Sequence, residues 1–399
     1  MPSIQDITMI EAGRKSLKAD RTASWKNQRI LGRIAEVDGL RGLAILLVLF
    51  FHYVTSISAP GHRLWGFVTK GSSLFWSGVD LFFVLSGFLI SGILMDSIQS
   101  TGYFRTFYLR RIHRIFPLYF GWLTLFYLAA YLDLDGKLGI HVFQSRAALW
   151  LYPLFLQNNA PLWFDVELPL WMAMSWSLAV EEQFYLVLPA VVRFVGKPAL
   201  TSLSVAVIIL SPAYRFILLS RYPGLNVGWP FATLSRLDGL AMGVVIALLV
   251  RNETCWRWLT IHVRILRISG LVLLVAFAAL TCIPPTQLSM ALYGFSIIAI
   301  FYAAVLLLAV CHPASLIAGL LKGRILRYFG KVSYAVYIFH QGVHGLLDRL
   351  VPPWGHRFNA LRVTFLTVLA LATTILLAES SWRFIESSLI KRAHVRYRY

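Results

Sequence analysis

Acid and sulfur are what this chain has least of. Only 18 of its 399 residues are Asp or Glu, against 37 Lys and Arg, and it has three cysteines, Cys255, Cys282 and Cys311. Thiols so few and so far apart give neither a disulfide framework nor a zinc site. No GxSxG elbow, no phosphate-cradling glycine loop and no internal repeat occurs. Charge of either sign is scarce at 14%, whereas 58% of residues are hydrophobic and the mean hydropathy is +0.68. That composition excludes an ordinary soluble domain. The net charge of +19 raises nucleic acid as a partner. The basic residues are instead divided among short loops on one face of a set of apolar runs, as membrane topology and anionic lipid require.

Those runs recur from residue 40 almost to the end, each near the roughly 20 residues that cross hydrocarbon as a helix. They predict an all-α bundle of about ten transmembrane helices, near 40–58, 74–95, 116–132, 172–192, 199–220, 231–250, 268–283, 290–311, 328–348 and 361–384. The run at 147–157 is too short to span and reads as re-entrant or interfacial. With the N-terminus inside, the cytoplasmic segments hold 24 basic residues and the outward segments 7, so both termini are expected in the cytoplasm. Residues 1–35 are polar and basic without the apolar core of a signal peptide, and read as a cytoplasmic tail. Residues 36–390 form the membrane domain, and 391–399 a second basic tail.

The first span, VDGLRGLAILLVLFFHY, carries Arg41 at its entrance and His52 near its far end. An ionisable residue at membrane depth costs ~2.5–3.5 kcal/mol on insertion scales and is kept for a pathway, a partner or chemistry. Eleven helical residues advance ~16 Å and three turns plus ~20°, so the two share a face. Asp80, about six residues from the outer end of the second span, is expected at the depth of His52, where it would fix the imidazole tautomer and raise its basicity. Ser86, Gly87, Ser91 and Gly92 make that span small enough for close packing. Glu181 and Glu182, Arg236 and Asp238, and His340 fall at similar depths on other helices, which predicts a polar cavity opening outward. At the cytoplasmic end, Arg110, Arg111 and Arg114 lie three and four apart and can grip an anion with forked hydrogen bonds, with Arg41 and Lys331 at the same level. A ligand anionic in the cytoplasm and reactive in the membrane fits acyl-coenzyme A.

These residues give the chain its resemblance to the acyltransferase-3 family of integral membrane O-acyltransferases, over residues 36–390. Arg41 and His52 meet the family's Arg-x10-His motif, Arg111 and Arg114 its Arg-x-x-Arg motif. GVDLFFVLSGFLI, WSLAVEEQFYLVLP, RLDGLAMG and FGKVSYAVYIFH match four more signatures in order, while Ser387 and Ser388 stand where the family commonly has Arg-Pro. The resemblance implies transfer of an acyl group, acetyl foremost, from cytoplasmic acyl-CoA to hydroxyls of extracytoplasmic or lipid-linked glycans, in the bacterial inner membrane. It implies no permanently bound cofactor and no metal. Many relatives carry an extracytoplasmic hydrolase-like domain; without one, transfer is expected in the membrane domain or just outside it. In this reading His52, oriented by Asp80, is the general base. Arg41, Arg110, Arg111, Arg114 and Lys331 hold acyl-CoA, and Glu181, Glu182, Arg236, Asp238 and His340 serve the acceptor or the transition state. The competing class is a proton-coupled transporter of an anionic or sugar-like solute, whose midplane His, Asp and Glu relay protons.

The charge split generates a labelling test. A cysteine placed at Gly61 should react with an impermeant reagent from outside, and one at Lys197 only after permeabilisation. The reverse pattern inverts the topology.

Overall fold

The computed structural model describes residues 34–54, 70–132, 146–222, 230–283, 288–351 and 359–399. The expected tail over 1–35 and the loop holding Gly61 lie almost wholly outside them. Every described regular element is helical. Each expected span coincides with a helix: α1 Ala35–Val54, α2 Gly78–Asp96, α3 Tyr103–Leu132, α4 Ser175–Val195, α5 Lys197–Arg221, α6 Thr233–Arg251, α7 Val263–Ala279, α8 Phe295–Cys311, α9 Arg324–Leu350 and α10 Asn359–Ser381. A π-helical turn, Trp382–Glu386, carries α10 into α11, Ser387–Arg396.

Seven of the ten are long and apolar enough to cross a membrane. The other three, α1, α4 and α9, have spanning length and carry Arg41 and His52, Glu181 and Glu182, and Lys331 and His340. Helix is the form these sequences must take in lipid, because only helices and closed barrels satisfy every backbone N–H and C=O without water. Large side chains left bare on the outside, such as Phe194, Val275 and Leu376, fit a hydrocarbon surround and not an aqueous one. The layering follows the same logic. Of its span window, α2 has 78% buried and α7 only 6%, so α2 is central and α7 faces lipid.

Glycines set how closely the central helices approach. A Cβ on Gly87 would fall 2.0 Å from the Leu240 carbonyl oxygen, and one on Gly243 2.2 Å from that of Val84. The α2–α6 crossing is therefore backbone against backbone, as small residues permit in membranes. On the other side of α1, a Cβ on Gly330 would meet the Asp38 carbonyl at 1.9 Å, which fixes the register of α9 along α1.

The segment at 147–157 folds as short 3₁₀ turns, Arg146–Leu151 and Gln157–Asn159. Its backbone is satisfied from α3: Tyr119 Oη donates to the Tyr152 carbonyl at 2.8 Å, and Tyr127 Oη to that of Leu149 at 2.7 Å. Irregular backbone at such depth is tolerated where it is buried in protein. The Gln157 side-chain amide donates to the Ser175 carbonyl, so this buried segment delivers the chain into the start of α4.

Candidate functional site

One cavity of about 1010 Å³ opens at the Arg41 end of the bundle. All five basic residues expected at the donor site line it: Arg41 from α1, Arg110, Arg111 and Arg114 from α3, and Lys331 from α9. Spacing explains the α3 contribution, since positions three and four apart share a helical face. Arg41 and Arg111 are near enough to Arg114 to repel it. Among the described residues no carboxylate forms an ion pair with Arg41, Arg111 or Arg114. The other two are engaged. Arg110 donates from Nε and Nη2 to the Tyr397 carbonyl at 2.9 and 2.7 Å and stacks on the Tyr399 ring. Lys331 lies 3.9 Å from Glu379 and 5.2 Å from the centre of the Trp382 ring.

Glu181, expected near mid-membrane, also lines this cavity. Its Oε1 accepts from Ser86 Oγ at 2.9 Å and its Oε2 from Tyr185 Oη at 3.1 Å. The neighbour, Glu182, is turned to another side of α4, outside the lining, with Oε1 buried and without a hydrogen-bond partner.

Three imidazoles gather at the far end: His52, His340 and His344, the last stacked on Tyr53 with ring centroids 5.3 Å apart. His52 and His340 have ring centroids 4.9 Å apart, edge to face. His52 Nδ1 lies 2.9 Å from the Val48 carbonyl and His340 Nδ1 2.7 Å from that of Tyr337. A carbonyl only accepts, so both Nδ1 atoms carry the proton and both Nε2 atoms are bases. His340 is fully buried, its Nε2 has no hydrogen-bond partner, and its own carbonyl accepts from Tyr53 Oη at 2.8 Å.

Asp80 does not orient His52 as expected. It pairs with Arg236 at 2.8 Å, and the Val48 carbonyl holds the imidazole tautomer instead. The reason is rotation. Gly78 is the residue that faces α1, where a Cβ would meet the Ala44 carbonyl at 2.5 Å. Two residues later the helix has turned ~200°, which aims Asp80 at α6, and ~3 Å further from the His52 end. The two charges of α6 each take a partner on another helix: Asp238 bonds Arg215 of α5 at 2.9 Å, while Arg236, paired with Asp80, stands 4.2 Å from the centre of the Phe295 ring. Arg215 is fully buried and further donates to the carbonyls of Ala291 and Ser235 and to Ser296 Oγ. Arg236 and Asp238 thus tie α2, α5, α6 and α8 together, away from the cavity.

Arg215, Tyr185, Ser177 and Tyr337 carry weight that sequence reasoning did not assign. A signal for three of them exists. Ser177, Glu181 and Tyr185 recur every four residues of α4, and Tyr334 and Tyr337 follow Lys331 at three-residue steps of α9. All six line the cavity.

The fold and site define a polytopic membrane protein built around a cationic cavity with a pair of basic imidazoles beyond its inner end. Its family follows from comparison: a family model described as an acyltransferase domain matches residues 34–379, and the chain belongs to that family. Among curated proteins it is similar to the peptidoglycan O-acetyltransferase OatA of Listeria monocytogenes, 25% identical over 387 residues, 91% of this chain and 57% of the relative. It is also similar to the O-acetyltransferase OatA of Staphylococcus aureus, 26% identical over 376 residues, 89% of this chain and 57% of the relative. The chain therefore spans a little over half the length of these relatives. No solved structure matches it.

The buried pairs give a stability test. Arg236→Ala should destabilise the detergent-solubilised protein by about 3–5 kcal/mol, because it strands Asp80. Asp80→Leu combined with Arg236→Met should recover most of the lost thermal stability. A single variant as stable as the parent would deny the pair its structural role.

Proposed function

We propose that this protein transfers an acyl group, acetyl foremost, from acyl-CoA in the cytoplasm to a hydroxyl of an extracytoplasmic or lipid-linked glycan in the bacterial inner membrane. Family membership supports acyl transfer. The relatives' names support acetyl as the group and, through peptidoglycan, a glycan as the acceptor class. The observation that carries the donor assignment is the cavity in which Arg41, Arg111 and Arg114 meet with no carboxylate of the described residues at ion-pair distance, although Glu181 and Glu386 line the same space. Guanidiniums left so are matched by phosphate, which takes forked, charge-assisted hydrogen bonds, and coenzyme A brings phosphates on one end of a flexible arm.

With the phosphates at that end, the arm points along α1 toward His52, ~16 Å away. His52 Nε2 takes the proton from the acceptor hydroxyl as its oxygen attacks the thioester carbon. The C–S bond breaks, and the proton passes from the imidazolium to the departing thiolate. General base catalysis of this kind is typically worth 10²–10⁴-fold, and holding both reactants in register along α1 supplies much of the rest. His340 is the second base within reach. Glu181, bonded to Ser86 and Tyr185, lies on the donor side and serves that half of the reaction.

Two measurements separate donor binding from chemistry. Arg111→Ala with Arg114→Ala should weaken CoA binding about tenfold or more per arginine, since hydrogen bonds to charged groups contribute about 1.5–3 kcal/mol. Isothermal titration of a folded double variant with unchanged affinity would remove them from the donor site. Arg41→Ala should act mainly on KM for acyl-CoA, whereas His52→Gln should keep CoA binding and lose about two to four orders of magnitude in kcat. Substantial transfer by His52→Gln would move the base elsewhere, with His340 first.

A further inference from the structure

The donor cavity stops short of the histidines. Its lining includes Ser86, Ser177, Glu181 and Tyr337 but neither His52 nor His340. Helical register says how short. Gly330 of α9 stands against Asp38 and Gly42 of α1, so Tyr337 lies ~10 Å beyond that crossing and His340 one further turn, ~5 Å. His52, ten residues past Gly42, comes out level with His340, in agreement with their ring contact. Tyr337 spans that interval: it lines the cavity, and its ring has its centroid 5.6 Å from that of His340.

Tyr337 is held in place by its hydroxyl. That group donates to the Met174 carbonyl at 3.0 Å and is 2.6 Å from Ser177 Oγ. Ser177 Oγ lies 3.4 Å from the same Met174 carbonyl, so the two hydroxyls, with one proton each, and that carbonyl form a closed set in which either hydroxyl can donate to the other. Both anchors belong to the start of α4, and Ser177 is one turn from Glu181 on the same face. A thioester reaching for His52 therefore meets a wall latched to the helix that also lines the donor cavity.

The geometry points to Tyr337, latched by Ser177 and the Met174 carbonyl, as the partition between the donor cavity and the His52–His340 pair, whose displacement admits the thioester to the base. This rests on the donor and base assigned above. It makes Tyr337 a positioning residue with a second duty: while latched, it keeps cytoplasmic water from the histidines. Loosening it allows a side reaction in which water attacks the thioester carbon, the C–S bond breaks, and the products are the free acid and the CoA thiol.

The test compares acceptor-free CoA release with acceptor-dependent transfer, in the full chain reconstituted with acetyl-CoA. Tyr337→Phe keeps the ring and loses both latching bonds. It should bind CoA as the parent does while the ratio of hydrolysis to transfer rises about tenfold, the worth of two ordinary hydrogen bonds. Ser177→Ala loses one bond and should move the ratio in the same direction by about threefold. Tyr337→Trp, which thickens the wall, should depress transfer with CoA affinity kept. A ratio unchanged in Tyr337→Phe, in protein whose melting temperature matches the parent's, overturns the partition while leaving donor and base intact. A parent that neither binds nor consumes acetyl-CoA overturns both readings.

Discussion

In a medium without water a charge must find its opposite, and the internal organisation of this bundle follows from where that demand is met. An uncompensated buried charge costs several kcal/mol. Three carboxylates of the central helices are matched across helices: Asp80 with Arg236, Asp238 with Arg215, and Asp96 with Arg251. Each pair binds two different helices, and all three involve α2 or α6. With their charges spent on each other, these helices form a frame. Arg41, Arg111 and Arg114 are left, among the described residues, without a carboxylate at ion-pair distance and face a cavity that Glu181 and Glu386 also line, so cations outnumber anions there and water or an anionic ligand can complete them.

The frame holds because backbones touch. Glycine against carbonyl at the α2–α6 and α1–α9 crossings gives these helices fixed relative rotation as well as short distance, since a turn of either would drive a side chain into the other's main chain. Rotation is what sorts residues near one another in sequence onto different sides: Glu181 into the cavity and Glu182 out of it, Gly78 toward α1 and Asp80 toward α6. It also brings Arg41 and His52 of α1 into line with Lys331 and His340 of α9, two parallel helices carrying a cation at one end and an imidazole at the other.

Much of this was legible in the sequence. Apolar runs located all ten helices, because hydrocarbon thickness dictates length and composition together. The five basic residues expected at one end do line one cavity, because three- and four-residue spacing fixes a helical face whatever the neighbours are. Depth and azimuth were not legible. Counting from the end of the second span put Asp80 level with His52, but only the α1 contact at Gly78 reveals that Asp80 faces away. Glu181 was expected near mid-membrane, and the sequence could not show that it would join the basic residues in their cavity. Its helix, α4, begins inside the protein, with Met172 and Ser175 fully enclosed at its start. Arg236 and Asp238, two apart in sequence, invited a local pairing, yet residues two apart lie on opposite sides of a helix and each took a partner from another.

The imidazoles of His52 and His340 share a constraint of their own. Both donate from Nδ1 to the carbonyl of a residue one turn earlier on their own helix, so both offer Nε2 as a base. Two imidazolium rings about 5 Å apart would repel by about 3 kcal/mol at an effective dielectric near 20. The pair therefore has room for one proton. In the proposed reaction that is the number required: the proton lifted from the acceptor hydroxyl occupies the pair until the thiolate removes it. A second, adventitious proton, which would leave no base for the attack, is opposed by the first. A carboxylate beside His52 would have worked the other way, favouring the charged ring before any substrate arrived. The rotation that carries Asp80 off to Arg236 thus leaves the imidazoles to each other, and the same ion pair that stiffens the frame removes an anion from the place where it would have held a ring charged ahead of the reaction.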